Sequence, residues 1–198
     1  MTVDNKTANE SIISKMRRAA AGLELPLVLS LVALDVAARL LPHAPNLTPV
    51  AASALFAGVV CRSRILALAV PLVALPLSDL VIGTYDWRII AAGYIALTLP
   101  AVFGMWAGRT GRAIVVAGCV PAMSLVFFAV SNFAVWAFSG MYPPTAGGLL
   151  ACYVAGLPFL KTTLLGDVLW SAALFGAWSL VATVLVSRNA PARSARPS

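Results

Sequence analysis

Long apolar runs separated by short basic clusters leave this chain few folds to choose from. Each run is about as long as the hydrocarbon core of a bilayer requires of a helix, roughly 20 residues. A backbone in lipid must satisfy its own polar groups, so such runs read as membrane helices. Composition agrees: 61% of the 198 residues are hydrophobic and 11% are charged, whereas soluble domains are about a quarter charged. Roughly six spans with short loops would use the whole length, leaving no room for an added soluble domain. The sequence therefore predicts an all-α, polytopic bundle.

Span boundaries follow from breakers and charges. Residues 1–21 read as a polar, basic tail and residues 188–198 as a second basic tail that is disordered, flanking a membrane domain at 22–187. The first apolar run is too long, and too interrupted by Asp35 and Arg39, for a cleaved leader. Spans are expected at about Leu23–Leu41, Thr48–Val60, Arg64–Gly83, Arg88–Ala107, Arg112–Phe138 and Thr163–Val186. The second rises only ~20 Å, so either the loop before it dips into the membrane or the helix is enclosed by the bundle. Residues at about 145–160 are apolar but short, and they read as an interfacial or re-entrant segment, with Gly147-Gly148 as a flexible point.

The formal charge of +7 suggests nucleic acid, but eleven of the fourteen Lys and Arg residues sit at one set of run ends. With six spans and both termini in the cytoplasm, only Arg39, Arg88 and Lys161 fall outside. That distribution follows the positive-inside rule and argues against a nucleic-acid partner. The lipid bilayer itself is the expected surrounding.

The same topology puts Asp35, Asp79 and Asp167 on three different helices at similar depth in the outer third. Ionisable groups at membrane depth are costly and face the bundle interior or water. They either line a cavity open to the outside or pair helices. Asp35 and Arg39, at i and i+4, are expected to pair along their own helix. Outer-side polar and aromatic residues complete the candidate list: His43, Asn46, Tyr85, Trp87, Asn132, Trp136, Tyr142 and Lys161. Trp and Tyr at such depth also serve as plain interfacial anchors. His43 is the only histidine, and Cys61, Cys119 and Cys152 show no ligand spacing, so no metal or cofactor is expected. No nucleotide loop, hydrolase elbow or metalloprotease motif is present, and the chain is not expected to be an enzyme. Ala33 and Ala37, and Gly104 and Gly108, have the small-residue spacing that permits close helix approach.

Three segments carry a family resemblance. They are Arg39 to Gly58 (RLLPHAPNLTPVAASALFAG), Pro76 to Leu80 (PLSDL), and a set running from Phe127 through Ser131-Asn132-Phe133-Ala134-Val135-Trp136, Tyr142-Pro143 and Gly156 to Lys161, ending at Gly166-Asp167. They resemble an uncharacterised family of bacterial integral membrane proteins assigned to transport. That family is similar to the S components, the substrate-binding subunits of energy-coupling-factor transporters. The resemblance implies an S-component-like bundle in the bacterial inner membrane with a solute site facing outward. Asn46, Asp79, Trp87, Asn132, Trp136, Tyr142 and Lys161 would then bind solute, while Asp35, Arg39 and Asp167 support the cavity or pair helices. Ala33 and Ala37 would contact a transmembrane coupling subunit that works with ATPases. The alternatives are a stand-alone transporter driven by an ion gradient, a membrane enzyme acting on a lipid-linked substrate, and a structural membrane protein without a ligand.

Overall fold

The computed structural model describes residues 11–188, with side chains described as far as Leu185. Of the tails expected at 1–21 and 188–198, residues 1–10 and 189–198, with Lys6, Arg193 and Arg196, lie outside the described residues. The described residues form seven helices and no strand: α1 (Ile12–Ala20), α2 (Glu24–Leu40), α3 (Val50–Val60), α4 (Arg64–Ile82), α5 (Trp87–Thr110), α6 (Ala113–Phe138) and α7 (Ala146–Arg188). Four of these, α4 to α7, are long and apolar enough to cross a bilayer, and α1 with α2 makes a fifth if the bent pair counts as one span.

The helices run alternately up and down, so their connections gather at two ends. Glu24 accepts hydrogen bonds from the backbone of Arg62 at 2.8 Å and of Ser63 at 3.2 Å, tying the start of α2 to the α3–α4 turn. Ser11 lies beside Gly111 in the α5–α6 turn. This end carries Lys15, Arg17, Arg18, Arg62, Arg64, Arg109 and Arg112, and is called the basic end below. The opposite end holds the connections at 41–49, 83–86 and 139–145.

Two segments differ from the sequence reading. The first is α1, expected as part of a polar tail. Ser11 caps its N-terminus, and Ile13, Met16 and Ala20 recur at helical spacing and are buried against the bundle. The Trp178 indole donates to the Met16 carbonyl at 3.1 Å, fastening α1 to α7. A 99° bend then turns the chain into α2, with Gly22 adopting a positive φ in the turn. The second is α7. The separate segment at 145–160 and the span from Thr163 are one unbroken helix of 43 residues. Its length is ~65 Å, more than twice the ~30 Å of a bilayer core.

α3 forms the centre of the bundle. All its residues except Ala51 are buried. Its surface is mostly small, so neighbouring backbones come close. A Cβ on Gly104 of α5 would lie 3.1 Å from the Gly58 Cα, and one on Gly108 would lie 2.9 Å from the Val59 carbonyl oxygen. The Gly104 and Gly108 spacing therefore serves α3 of the same chain. Phe56 packs edge-on against Phe175 and Trp178, with ring centroids 5.1 and 6.2 Å away. At 11 residues α3 rises ~16 Å, and it fills only the half of the bundle nearer the basic end. The helix is enclosed by the bundle, as one of the two readings had it, and the loop at 41–49 descends between the helices to reach it, with Leu47 against Gly166 of α7.

Candidate functional site

Above α3 the bundle encloses a cavity of about 690 Å³, open toward the end opposite the basic one. The loop at 41–49 supplies its floor. Asn46 takes a left-handed conformation (φ 61°) that turns the chain, and Leu47 then packs against Gly166 of α7, where the backbone of Leu47 would stand 3.3 Å from a Cβ. Thr48 and Ala51 line the cavity from below.

The wall opposite comes from α6 and α7. Tyr153 donates to the Ala129 carbonyl at 2.7 Å, and lower down Ser124 donates to Asp167 at 2.6 Å. Between these contacts α6 advances five residues and α7 fourteen, a rise of ~8 Å against ~21 Å. The two helices cannot run side by side over that stretch, which contains Pro158. Phe127 and Ser131 of α6, with Phe159 and Thr163 of α7, face the cavity there.

A polar cluster occupies the α2–α4–α5 side. Arg39 is ion-paired with Asp79 and donates through Nε to Ser78 at 2.6 Å. Tyr94 donates to the second Asp79 oxygen at 2.8 Å. Ser78 in turn donates to the Ala74 and Leu75 carbonyls at 2.8 and 2.9 Å, in the turn that contains Pro76. The cluster thus joins three helices at the cavity edge. This corrects the expected pairing of Arg39 with Asp35. Asp35 instead faces α3, where it is fully buried and accepts from Ser53 at 2.8 Å, while its other oxygen has no hydrogen-bond partner.

Of the proposed solute contacts, Asn46, Asp79 and Asn132 line the cavity, as do Arg39 and Asp167 from the supporting set. Asn132 donates to the Phe128 carbonyl at 2.8 Å and its side-chain oxygen packs against Gly156. Trp87, Trp136, Tyr142 and Lys161 do not line it. Trp87 is 72% exposed beside Arg88, whose guanidinium also lies 5.1 Å from the Phe138 ring centroid. Trp136 donates to the Pro143 carbonyl at 3.1 Å, bracing the α6–α7 connection. Lys161 is exposed. Ala33 and Ala37 are exposed on α2, where no other helix among the described residues covers them. The sequence reading passed over Tyr94, Thr163, Phe127 and Phe159. A phenol seven residues past Trp87, two turns into a span, was the available signal for Tyr94.

The chain belongs to a family of unknown function, DUF6580, which it matches over residues 20–191. No curated protein and no solved structure matches it. The part of the chain that falls in DUF6580 includes every residue of the cavity and omits most of α1.

A second cavity, of about 360 Å³, lies between α1, α6 and α7 toward the basic end. Ser171 and Ser179 are its only hydroxyl-bearing residues, and the others lining it are apolar. It lacks converging polar groups, so the larger cavity is the candidate site for a polar solute.

Proposed function

We propose that this protein is a membrane-embedded solute-binding subunit of the S-component type, which takes a small molecule from the outer face and depends on a separate energising module. The observation that carries the reading is the cavity of about 690 Å³ with the Arg39–Asp79–Tyr94 cluster on its wall. Its size lies within the ~300–1,000 Å³ of small-molecule sites, and about half of its lining residues are polar, more than such sites usually carry, which suits a polar solute. The reading counts six crossings, with α3 as a short one, and assigns the basic end to the cytoplasm on the support of the positive-inside rule. The cavity then opens to the exterior of a bacterial inner membrane. Exposed Ala33 and Ala37 on α2 offer a flat surface for a coupling subunit, and such a subunit with its ATPases would supply energy that no motif here supplies.

Mass spectrometry of the chain purified in native-like lipid tests this directly. A small molecule should co-purify, and Asp79→Ala should release it. Purification without any bound molecule, together with unchanged behaviour of Asp79→Ala and Asn132→Ala in ligand screens, would remove the reading. Ion-coupled transport without a partner draws on a different observation, the buried carboxylate of Asp35 with one oxygen unpartnered. Solute uptake by proteoliposomes containing this chain alone, driven by a proton gradient and lost in Asp35→Asn, would favour it.

A further inference from the structure

The charges around the large cavity do not balance, and the imbalance selects a class of solute. Arg39 is the one Lys or Arg side chain in the lining, and it is already committed to Asp79 and Ser78; the ionisable His43 also lines it, with Nδ1 2.6 Å from the Leu41 carbonyl oxygen. Asp79 uses its other oxygen to accept from Tyr94. That cluster is closed and close to neutral. Asp167 lies across the cavity on α7, 5% exposed. One of its oxygens accepts from Ser124 at 2.6 Å. No side chain or backbone group in the described structure donates to the other. A carboxylate at membrane depth with half its acceptor capacity unused is costly unless a cation or a donor arrives.

What stands beside it adds shape. Phe159, Thr163 and Asp167 follow one another at i, i+4 and i+8 on α7, and all three line the cavity. The Thr163 hydroxyl donates to the Phe159 carbonyl at 2.8 Å, which leaves its oxygen as an acceptor. Phe127 faces the same space from α6. The stripe therefore offers an aromatic ring, then a hydroxyl oxygen, then a carboxylate oxygen. Aromatic faces and carboxylates both attract cations.

We infer that the cavity binds a small organic monocation, a protonated amine with an apolar or aromatic body, whose ammonium group pairs with Asp167. This deepens the solute-binding reading and rests on it. The Arg39 cluster would then hold the walls and orient the solute's far end, leaving the charge recognition to α7.

Three probes of one shape and different charge separate the possibilities: benzylamine, benzyl alcohol and benzoate. Binding of each to the full chain in nanodiscs of zwitterionic lipid is measured by calorimetry. Benzylamine should bind at least tenfold more tightly than either of the others. Asp167→Asn keeps an acceptor for Ser124 and should erase that preference, and Thr163→Val should weaken benzylamine severalfold while the preference survives. Should Asp167→Asn fail to fold, Thr163→Val and Phe159→Ala still report on the stripe. Equal binding of the three probes, tighter binding of benzoate, or no binding of benzylamine would overturn the inference. An anionic or neutral molecule found on the purified chain by mass spectrometry would also overturn it, yet would leave the solute-binding reading standing. An empty chain that binds no probe would end both.

Discussion

Arg39 and Asp79 give the most exacting test of how the cavity is held together, because their energetic worth depends on their burial. Their side chains are 19% and 13% exposed, so neither is a freely solvated surface charge. Removing one partner strands the other in a poorly solvated place, which costs ~3–5 kcal/mol for fully buried pairs. Partial access to the cavity lowers that to ~2–3 kcal/mol for Asp79→Leu or Arg39→Met. Replacing both charges at once strands nothing, and such replacements are often close to neutral in stability. The double variant loses the Ser78 and Tyr94 hydrogen bonds to the pair, at ~1 kcal/mol each. It should therefore cost ~2 kcal/mol, well short of the ~4–6 kcal/mol sum of the singles. The coupling of ~2–4 kcal/mol is readable as a difference in unfolding midpoint. Each single variant should fall by ~5–10 °C at roughly 2–4 °C per kcal/mol for a chain of this length. Thermal unfolding in detergent, followed by tryptophan fluorescence, supplies the double-mutant cycle. Additive losses would show that the pair does not act as a unit, and single losses below ~0.5 kcal/mol would show that it behaves as an ordinary surface pair.

Other outcomes follow from the same packing. Gly104→Val would drive a side chain into the backbone of α3, where Gly58 Cα and Val59 N stand 3.1 Å from the site of a Cβ; a loss above the ~1–3 kcal/mol of ordinary overpacking is expected, read in the same melts, and a stable variant would disprove the close contact. Cys61, just beyond α3, is buried, and that burial, reinforced by the nearby Glu24 carboxylate, pushes its thiol up to about 12; maleimide at pH 8 should leave it unmodified until the chain is unfolded in SDS, and fast labelling of the native protein would contradict the packing. In a cysteine-free background, His43→Cys should react with an impermeant maleimide added outside intact cells and Arg62→Cys should react only after lysis, and the reverse pattern would invert the proposed orientation.

Much of the bundle was legible because its punctuation is strong. α2, α4, α5 and α6 begin and end within about three residues of their sequence-expected limits, at Pro, Gly, Ser, Asp or Arg. α1 escaped notice because nine residues with three cations look like a tail; only the spacing of Ile13, Met16 and Ala20 behind the Ser11 cap gives it away. α7 was misread for the opposite reason. Gly147-Gly148 and Pro158 look like breakers, but Gly148 is buried against the Pro143 carbonyl, and its lack of a side chain serves that close approach. Pro158 is carried within the helix, as membrane helices tolerate when neighbours compensate.

The site was legible in its members more than in its pairings. Depth along a helix is fixed by counting residues, so Asp79, Asn132 and Asp167 could be placed together. Which way each faces is fixed by packing. Arg39 has Asp35 at ideal helical spacing and ignores it, because Asp35 turns toward Ser53 while the long Arg39 side chain reaches the polar cavity, where its head is better solvated. The aromatics show the same limit. Trp136 and Tyr142 share the outer depth of the cavity but line the α6–α7 connection outside it.

The short α3 and the long α7 explain together why the cavity sits in one half of the bundle. α3 occupies the centre only near the basic end, where glycine contacts bring α5 against its backbone. Above its first turn no helix fills the axis, and α7 departs from α6, so the half opposite the basic end is left open. Beneath Asp167 a void of about 10 Å³ lies between Ala51, Leu55, Pro100 and Ser171, at most enough for one water, and the apolar second cavity lies beyond it between α1, α6 and α7. Under the proposed reading, a solute held at Asp167 would meet the close α3–α5 contact along the bundle axis, and passage along α3 would require α3 and α5 to separate. That separation would break backbone-to-backbone packing that no flexible side chain cushions.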